Sequence, residues 1–222
     1  TPSTMAIDLD YSLWWSQAAP QPFGDRLVLA LAPEHETLML CIHGSKEGWS
    51  SLKPAVDLAG FLDKHPQLDW DGLVCHARQH GCLRMLLLGL QMIRSLLHFS
   101  PPIFTLQLIA QDRKVQELAA ERLMRLDERD FAQVNPYRVD RYSLAMRERW
   151  SDKLRLLLRT LFTPRAQHYA MVSLPSSMNW LYVPIKVVMD YMLLPIWRLA
   201  HKRRGSGRVI TRGDQGEGAG DA

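Results

Sequence analysis

The chain has 222 residues, 47% of them hydrophobic and 23% charged, which is enough to fold around a core and excludes a globally disordered protein. Its 27 Lys and Arg exceed its 23 Asp and Glu by a net charge of +4, which is too small to indicate a nucleic-acid-binding protein. Three cysteines are too few for a disulfide framework and fit no zinc-site spacing. We interpret Cys41, Cys75 and Cys82 as reduced core thiols of a cytoplasmic protein.

The sequence opens with a strand-like pattern. Apolar and polar residues alternate from Met5 to Leu13, which is typical of a half-buried β-strand. Two tryptophans and a proline-rich loop through Pro20 and Pro22 follow. A lone strand is not stable by itself, and the chain begins in Thr-Pro-Ser-Thr without a signal peptide. We therefore expect residues 1–32 to be the remnant of an α/β domain that continues upstream.

From Pro33 onward the apolar spacing is helical. Caps are predicted at Ser50–Ser51 and Asp69, and Gly81 is predicted to end a helix. A charged amphipathic helix is predicted from Asp112 to about Glu128. The helix Leu83–Leu97 is strongly apolar but too short to span a bilayer, so we expect it to be the buried centre of a bundle. The helix from Asp140 to Phe162 is predicted to be continuous, with these residues facing inward: Leu144, Leu154, Leu157, Leu158 and Leu161.

The C-terminal region ends the predicted helical domain, residues 33–200. Residues 180–200 are apolar and aromatic but contain Lys186 and Asp190, and each charge costs about 2.5–3.5 kcal/mol at the centre of a bilayer. We interpret this stretch as a helix packed on the bundle. The alternative is an interfacial helix, in which Trp180–Arg204 contacts the inner membrane face through its basic end. Residues 201–222 are polar and Gly-rich, and we expect a disordered tail.

The densest set of candidate functional residues surrounds the turn between the first two long helices. His43, Lys46, Lys53 and Asp57 are brought together by a helix end, a glycine-flanked turn and a helix start. Lysine ammonium groups and the backbone N–H groups of a helix N-terminus both attract phosphate, so the segment predicts a phosphate site. The structural alternative is that Lys53 and Asp57 form a surface pair and that Trp49 is a packing anchor.

Two segments carry a family resemblance. Residues 43–53 read His-Gly-Ser-Lys-Glu-Gly-Trp-Ser-Ser-Leu-Lys, and residues 81–90 read Gly-Cys-Leu-Arg-Met-Leu-Leu-Leu-Gly-Leu. With Leu68-Asp69-Trp70 between them, they resemble a family of uncharacterised bacterial nucleotidyltransferases of the DNA polymerase beta-like superfamily. Glu47 stands where relatives usually carry His. The later segments that extend the resemblance over most of residues 1–200 are Arg147–Arg149, Phe162–Pro164 and Leu174–Pro175.

The resemblance implies transfer of a nucleoside monophosphate from a nucleoside triphosphate to an unidentified acceptor, with Mg²⁺ ions held by carboxylates. It implies that Asp8 is the third carboxylate beside the metals and that Asp10 takes a position where relatives carry His. An alternative is that Asp8 and Asp10 are themselves the metal-binding pair. The residues implied around the nucleotide are His43, Lys46, Lys53 and Asp57.

The superfamily's Gly-Ser and Asp-x-Asp element, which holds the metals, would lie upstream of Thr1. We therefore expect a mainly α chain: the C-terminal helical domain of an α/β nucleotidyltransferase, with the last catalytic-domain strand at its N-terminus, and inactive alone. The alternative function is a non-catalytic helical module that recruits a substrate or partner, docked on a membrane surface through its basic C-terminal helix.

Overall fold

The computed structural model describes Ile7, residues 9–126, residues 140–163, Tyr169 and residues 175–189. The chain divides into two compact units, residues 1–160 and residues 161–222. This boundary lies inside the stretch 33–200 that the sequence predicts as one helical domain.

The first unit begins with a short helix where a strand was predicted. Helix α1, Tyr11–Ser16, takes in the end of the alternating pattern, so the strand prediction is wrong from Tyr11 to Leu13. The Asp10 carboxylate causes the difference, because it accepts a hydrogen bond from the Leu13 N–H at 3.0 Å and caps the helix. Earlier residues of the predicted strand, Asp8 among them, lie largely outside the described residues.

The proline-rich segment is a β-hairpin rather than a loop. Strand β1, Ala19–Phe23, pairs antiparallel with strand β2, Arg26–Ala30. The two strands form a two-stranded sheet.

Helices make up the remainder of the described fold. They are α2 Pro33–Lys46, α3 Lys53–Lys64, α4 Trp70–Gln79, α5 Leu83–Leu97, α6 Ile103–Gln111, α7 Arg113–Arg125, α8 Arg141–Ala145 and α9 Trp150–Phe162. In the second unit, the 3₁₀ helix Ser176–Leu181 leads into α10, Tyr182–Val188. The fold is mainly α with strands near the N-terminus, which confirms the predicted class.

Helix α5 is the centre of the core, as predicted. It has the predicted bounds, Leu83–Leu97, and packs against α2, α3, α4, α6 and α7. Buried side chains from both ends of the first unit join the same core, including Ile7 and Trp14 near the N-terminus and Met146 near its end. The N-terminal segment therefore folds with the helices rather than as a separate body.

Most of the predicted helix ends are confirmed. Asp69 caps α4 by accepting from the Gly72 N–H at 3.0 Å, and Asp112 caps α7 by accepting from the Lys114 N–H at 2.9 Å. Gly81 follows α4 with a φ of 66°, the left-handed conformation that glycine adopts without strain. The predicted serine cap of α3 is wrong, because α3 begins at Lys53 without a side-chain cap.

The predicted helix from Asp140 to Phe162 is two helices. Residues 146–149 interrupt it, because Arg147 is buried there and the Glu148 carboxylate accepts a hydrogen bond from the N–H of Arg84 at the start of α5. The inward face was also assigned wrongly in α9. Leu156 is buried, while the predicted inward residues Leu154, Leu157 and Leu158 are exposed.

The predictions for the cysteines and for the C-terminal segment agree with the structure only in part. Cys41 and Cys82 are buried free thiols, as predicted, but Cys75 is exposed on α4. Burial raises the pKa of the Cys82 thiol to about 12. Of the segment Trp180–Arg204, only residues up to 189 are described, and the described chain contains no helix long and apolar enough to cross a membrane.

Candidate functional site

The turn between α2 and α3 is a glycine-terminated helix end. The Gly48 N–H donates to the Ser45 carbonyl at 3.1 Å, and the Trp49 N–H donates to the Gly44 carbonyl at 2.9 Å. This pair of bonds is the Schellman motif, with Gly48 in its left-handed position at a φ of 68°. Trp49 continues the left-handed path at a φ of 52°.

Trp49 is a packing anchor, as the structural alternative predicted. Its side chain is completely buried between α2 and α5. A Cβ at Gly44 would lie 2.7 Å from two indole carbons, and a Cβ at Gly89 would lie 3.2 Å from the ring. Gly44 is therefore required for the indole to reach its place, while a Cβ at Gly89 would clash chiefly with the Cys41 Sγ, at 2.8 Å.

The charged residues around the turn form two local pairs on the surface. His43 Nε2 lies 3.1 Å from Glu47 Oε1, and Lys53 Nζ lies 2.6 Å from Asp57 Oδ2. The hydrogen bond that Lys53 donates to the Asp57 carboxylate raises the pKa of Lys53, so this lysine is protonated at neutral pH. Each pair joins residues one helical turn apart, which is ordinary surface stabilisation.

Lys46 differs from these residues. It is the last residue of α2 and is half-buried, and among the described residues its ammonium group has neither a hydrogen bond nor an ion pair. The structure thus brings the four predicted nucleotide contacts to the end of α2 and the first turns of α3. Within this group, Lys46 is the cation without a carboxylate partner among the described residues.

The predicted carboxylate site is only partly described. Asp8 lies outside the described residues, and Asp10 is the exposed cap of α1. Within the described ranges, no group of three or more His, Cys, Asp or Glu side chains is placed to hold a metal ion.

Residues 2–98 match the sequence model of a family described as uncharacterised nucleotidyltransferase. The matched stretch runs through α5 and covers less than half of the chain. No curated protein and no solved structure matches the chain. The resemblance beyond residue 98 stays a prediction.

Arg84, which belongs to the segment 81–90 that carries the family resemblance, links several helices of the first unit. Its Nε donates to Asp112 Oδ2 at 2.9 Å, and its Nη1 donates to the carbonyls of Ala145 at 2.7 Å and Arg147 at 3.2 Å. Charge-assisted bonds of this kind are stronger than neutral ones, so Arg84 fastens the start of α5 to the start of α7 and the end of α8. The sequence indicates this role only by placing an arginine in an otherwise apolar helix, where its charge needs partners.

A stack of one aromatic and one histidine ring joins α1 to α2, and the sequence did not predict it. The Trp14 ring stacks on His35 with centroids 4.6 Å apart and planes 8° apart, and His35 Nε2 lies 3.1 Å from His76 Nδ1. Burial, followed by the neighbouring His76, lowers the pKa of His35, so its neutral form is favoured. These residues come from three separate helices, and no local spacing in the sequence reveals their contact.

Proposed function

We propose that this chain takes part in nucleotidyl transfer and that Lys46 contacts the triphosphate of a nucleoside triphosphate. The match of residues 2–98 to a nucleotidyltransferase family supports the reaction class. The observation that carries the assignment to Lys46 is that this residue is half-buried at the end of α2 and that no described carboxylate pairs with its ammonium group.

The surroundings of Lys46 also suit an anion. Helix α3 begins after the turn without a side-chain cap, and the N-terminus of a helix carries partial positive charge. Lys53 stands at this end of α3, and a phosphate group would replace its present partner Asp57. His43 pairs with Glu47 and lies on the outer surface, where it would contact the base or sugar rather than the phosphates.

In the proposed reaction, an acceptor hydroxyl or similar nucleophile attacks the α-phosphorus of the triphosphate, and pyrophosphate leaves. Lysine side chains stabilise the negative charge on the phosphate oxygens as the leaving bond breaks. The proposal includes Mg²⁺ held by carboxylates, with Asp8 as one of them. Asp8 lies outside the described residues. The described chain contributes triphosphate binding, while the acceptor stays unspecified.

The proposal is tested by titrating the chain with the Mg²⁺ complexes of ATP, GTP, CTP and UTP, using nuclear magnetic resonance to detect weak binding. We expect saturable binding that is weaker than micromolar, because no group of three or more His, Cys, Asp or Glu side chains within the described residues is placed to hold the Mg²⁺ of the complex. Lys46→Ala should weaken it by about tenfold or more, since a hydrogen bond to a charged group is worth about 1.5–3 kcal/mol.

Lys64→Ala is the matched control, because Lys64 is likewise the last residue of its helix and is exposed. It should leave the affinity unchanged. An equal loss of nucleotide affinity in both variants would show that the loss comes from the change in net charge and not from a contact at Lys46. An unchanged affinity in Lys46→Ala would show that Lys46 is not part of the site. If none of the four nucleotides binds, the proposed function is wrong for this chain.

A further inference from the structure

The β-hairpin exposes apolar side chains that a protein of this composition would be expected to cover. Every residue of β1 is exposed, and Phe23, Leu27 and Leu29 are 75%, 73% and 62% exposed. An isolated two-stranded hairpin is marginally stable in water, and exposed apolar strands favour association. The hairpin therefore has the properties of an incomplete sheet.

The turn geometry determines which backbone groups point outward. Gly24 and Asp25 form a two-residue loop, and Gly24 has a φ of 58° whereas Asp25 has no positive φ, as in a type II′ turn. The closing pair of such a hairpin, Phe23 and Arg26, is hydrogen-bonded across the strands. Since hydrogen-bonded and non-hydrogen-bonded pairs alternate, the outward-facing pairs are Pro22 with Leu27 and Pro20 with Leu29.

The two edges of the hairpin are therefore unequal. The outer edge of β1 presents Pro20 and Pro22, which have no N–H, so it cannot accept another strand. The outer edge of β2 presents the N–H and C=O groups of Leu27 and Leu29. No hydrogen bond within the described residues reaches these four groups. A strand can add only beside β2.

We propose that a second copy of this chain adds there, forming a two-fold dimer with a four-stranded antiparallel sheet in the order β1, β2, β2, β1. Strand β2 is complementary to itself. Its sequence Leu27-Val28-Leu29 is palindromic. When the two-fold axis passes through Val28, each Leu27 pairs with the partner copy's Leu29, and all the outward groups of both strands are satisfied.

Charge and closure agree with this arrangement. In the same register each Arg26 faces Ala30 of the other copy, so no like charges stand opposite each other. The proline edges of the two β1 strands end the sheet on both sides. Assembly therefore stops at a dimer with a single two-fold axis instead of growing into a fibre.

Disulfide cross-linking tests the register directly. In a Cys75→Ser background, which removes the exposed thiol, Val28→Cys should give a covalent dimer under mild oxidation. Residues paired at the axis in a non-hydrogen-bonded position have Cα atoms about 4.5 Å apart, which is within disulfide range. Gln21→Cys is the matched control, because Gln21 pairs with Val28 on the same face but lies three strand spacings, about 14 Å, from its own copy.

We expect covalent dimer from Val28→Cys and little or none from Gln21→Cys. Equal cross-linking of the two variants would indicate that the hairpins stack face to face, and no cross-linking of Val28→Cys would exclude edge pairing. Either result overturns the proposal.

Sedimentation of the unmodified chain gives an independent test. The protein should sediment at twice the 25.5 kDa of one chain as its concentration rises, and a monomer at all concentrations would overturn the proposal. Leu29→Pro removes an outward N–H together with the leucine side chain and should abolish the dimer, whereas Leu29→Ala removes the side chain but keeps that N–H and should retain more of the dimer. Circular dichroism checks that both variants fold, and a folded Leu29→Pro variant that still dimerises would also contradict the model.

Discussion

The indole of Trp49 occupies the space that a side chain at position 44 would need. A methyl group there would lie 2.7 Å from the ring, and the fully buried ring has no room to move. Gly44→Ala should therefore destabilise the protein by about 1–3 kcal/mol, the usual cost of overpacking a core. Chemical denaturation followed by circular dichroism measures this loss.

Gly60→Ala is the control for that prediction. Gly60 lies within α3, and a Cβ there would meet nothing within 4 Å. Because alanine favours a helix over glycine, Gly60→Ala should stabilise the protein by about 0.5–1 kcal/mol. If both glycine variants gained stability, the close contact between Gly44 and Trp49 would be contradicted.

The residues that made the sequence recognisable are mostly structural. Gly44, Trp49 and Gly89 bring α2 and α5 together, and Arg84 ties α5 to α7 and α8. A match that rests on such residues supports a shared fold more strongly than a shared reaction. Lys46 has no packing role of this kind among the described contacts, which is why the proposed function depends on it.

At the scale of the elements, α5 is the helix on which the core depends. Leu87 is 2% exposed on that helix, and Leu87→Ala should cost about 2–5 kcal/mol of unfolding free energy because it leaves a cavity. Leu97→Ala, at the exposed end of the same helix, should cost much less. A loss below about 0.5 kcal/mol for Leu87→Ala, measured by denaturant unfolding, would show that α5 is not the core.

The sequence predicted elements whose signals are local. The apolar run of α5, the side-chain cap Asp69 and the helix start at Asp112 involve neighbours a few residues apart, and all three were confirmed. The N-terminal segment was misassigned because its alternation over Met5–Leu13 is short and a single cap at Asp10 outweighs it.

The remaining errors come from contacts between distant parts of the chain. The break between α8 and α9 depends on Glu148 accepting a bond from the Arg84 N–H, 64 residues away. The prolines of β1 suggested a loop because the sequence alone does not reveal that they occupy the outward positions of an edge strand. Of the candidate site, the turn was predicted from local spacing, whereas the pairing of its charges needed the structure.

At the scale of the whole first unit, the histidine stack links the N-terminal segment to the core. Trp14 stacks on His35 and meets His80 edge-on, and the His35 ring stacks on His76. The charges of Glu34, His76 and His80 act on His35. The Glu34 carboxylate favours protonation of His35, but burial and the two histidines outweigh it and lower the pKa. Protonating this ring in the folded state would place a charge in a buried stack.

The stability of the first unit should therefore depend on pH through His35. Its pKa is below 6.5 when folded and near 6.5 when unfolded, so the unfolded chain binds the proton first and stability falls as pH drops below about 6.5. One such proton gives a slope of at most about 1.4 kcal/mol per pH unit. Denaturant unfolding between pH 5 and 8 measures this slope.

His35→Gln should flatten the slope of stability against pH. His98→Asn, at an exposed left-handed position, should leave the slope unchanged. Parallel pH curves for His35→Gln and the unmodified chain would exclude His35 as the source.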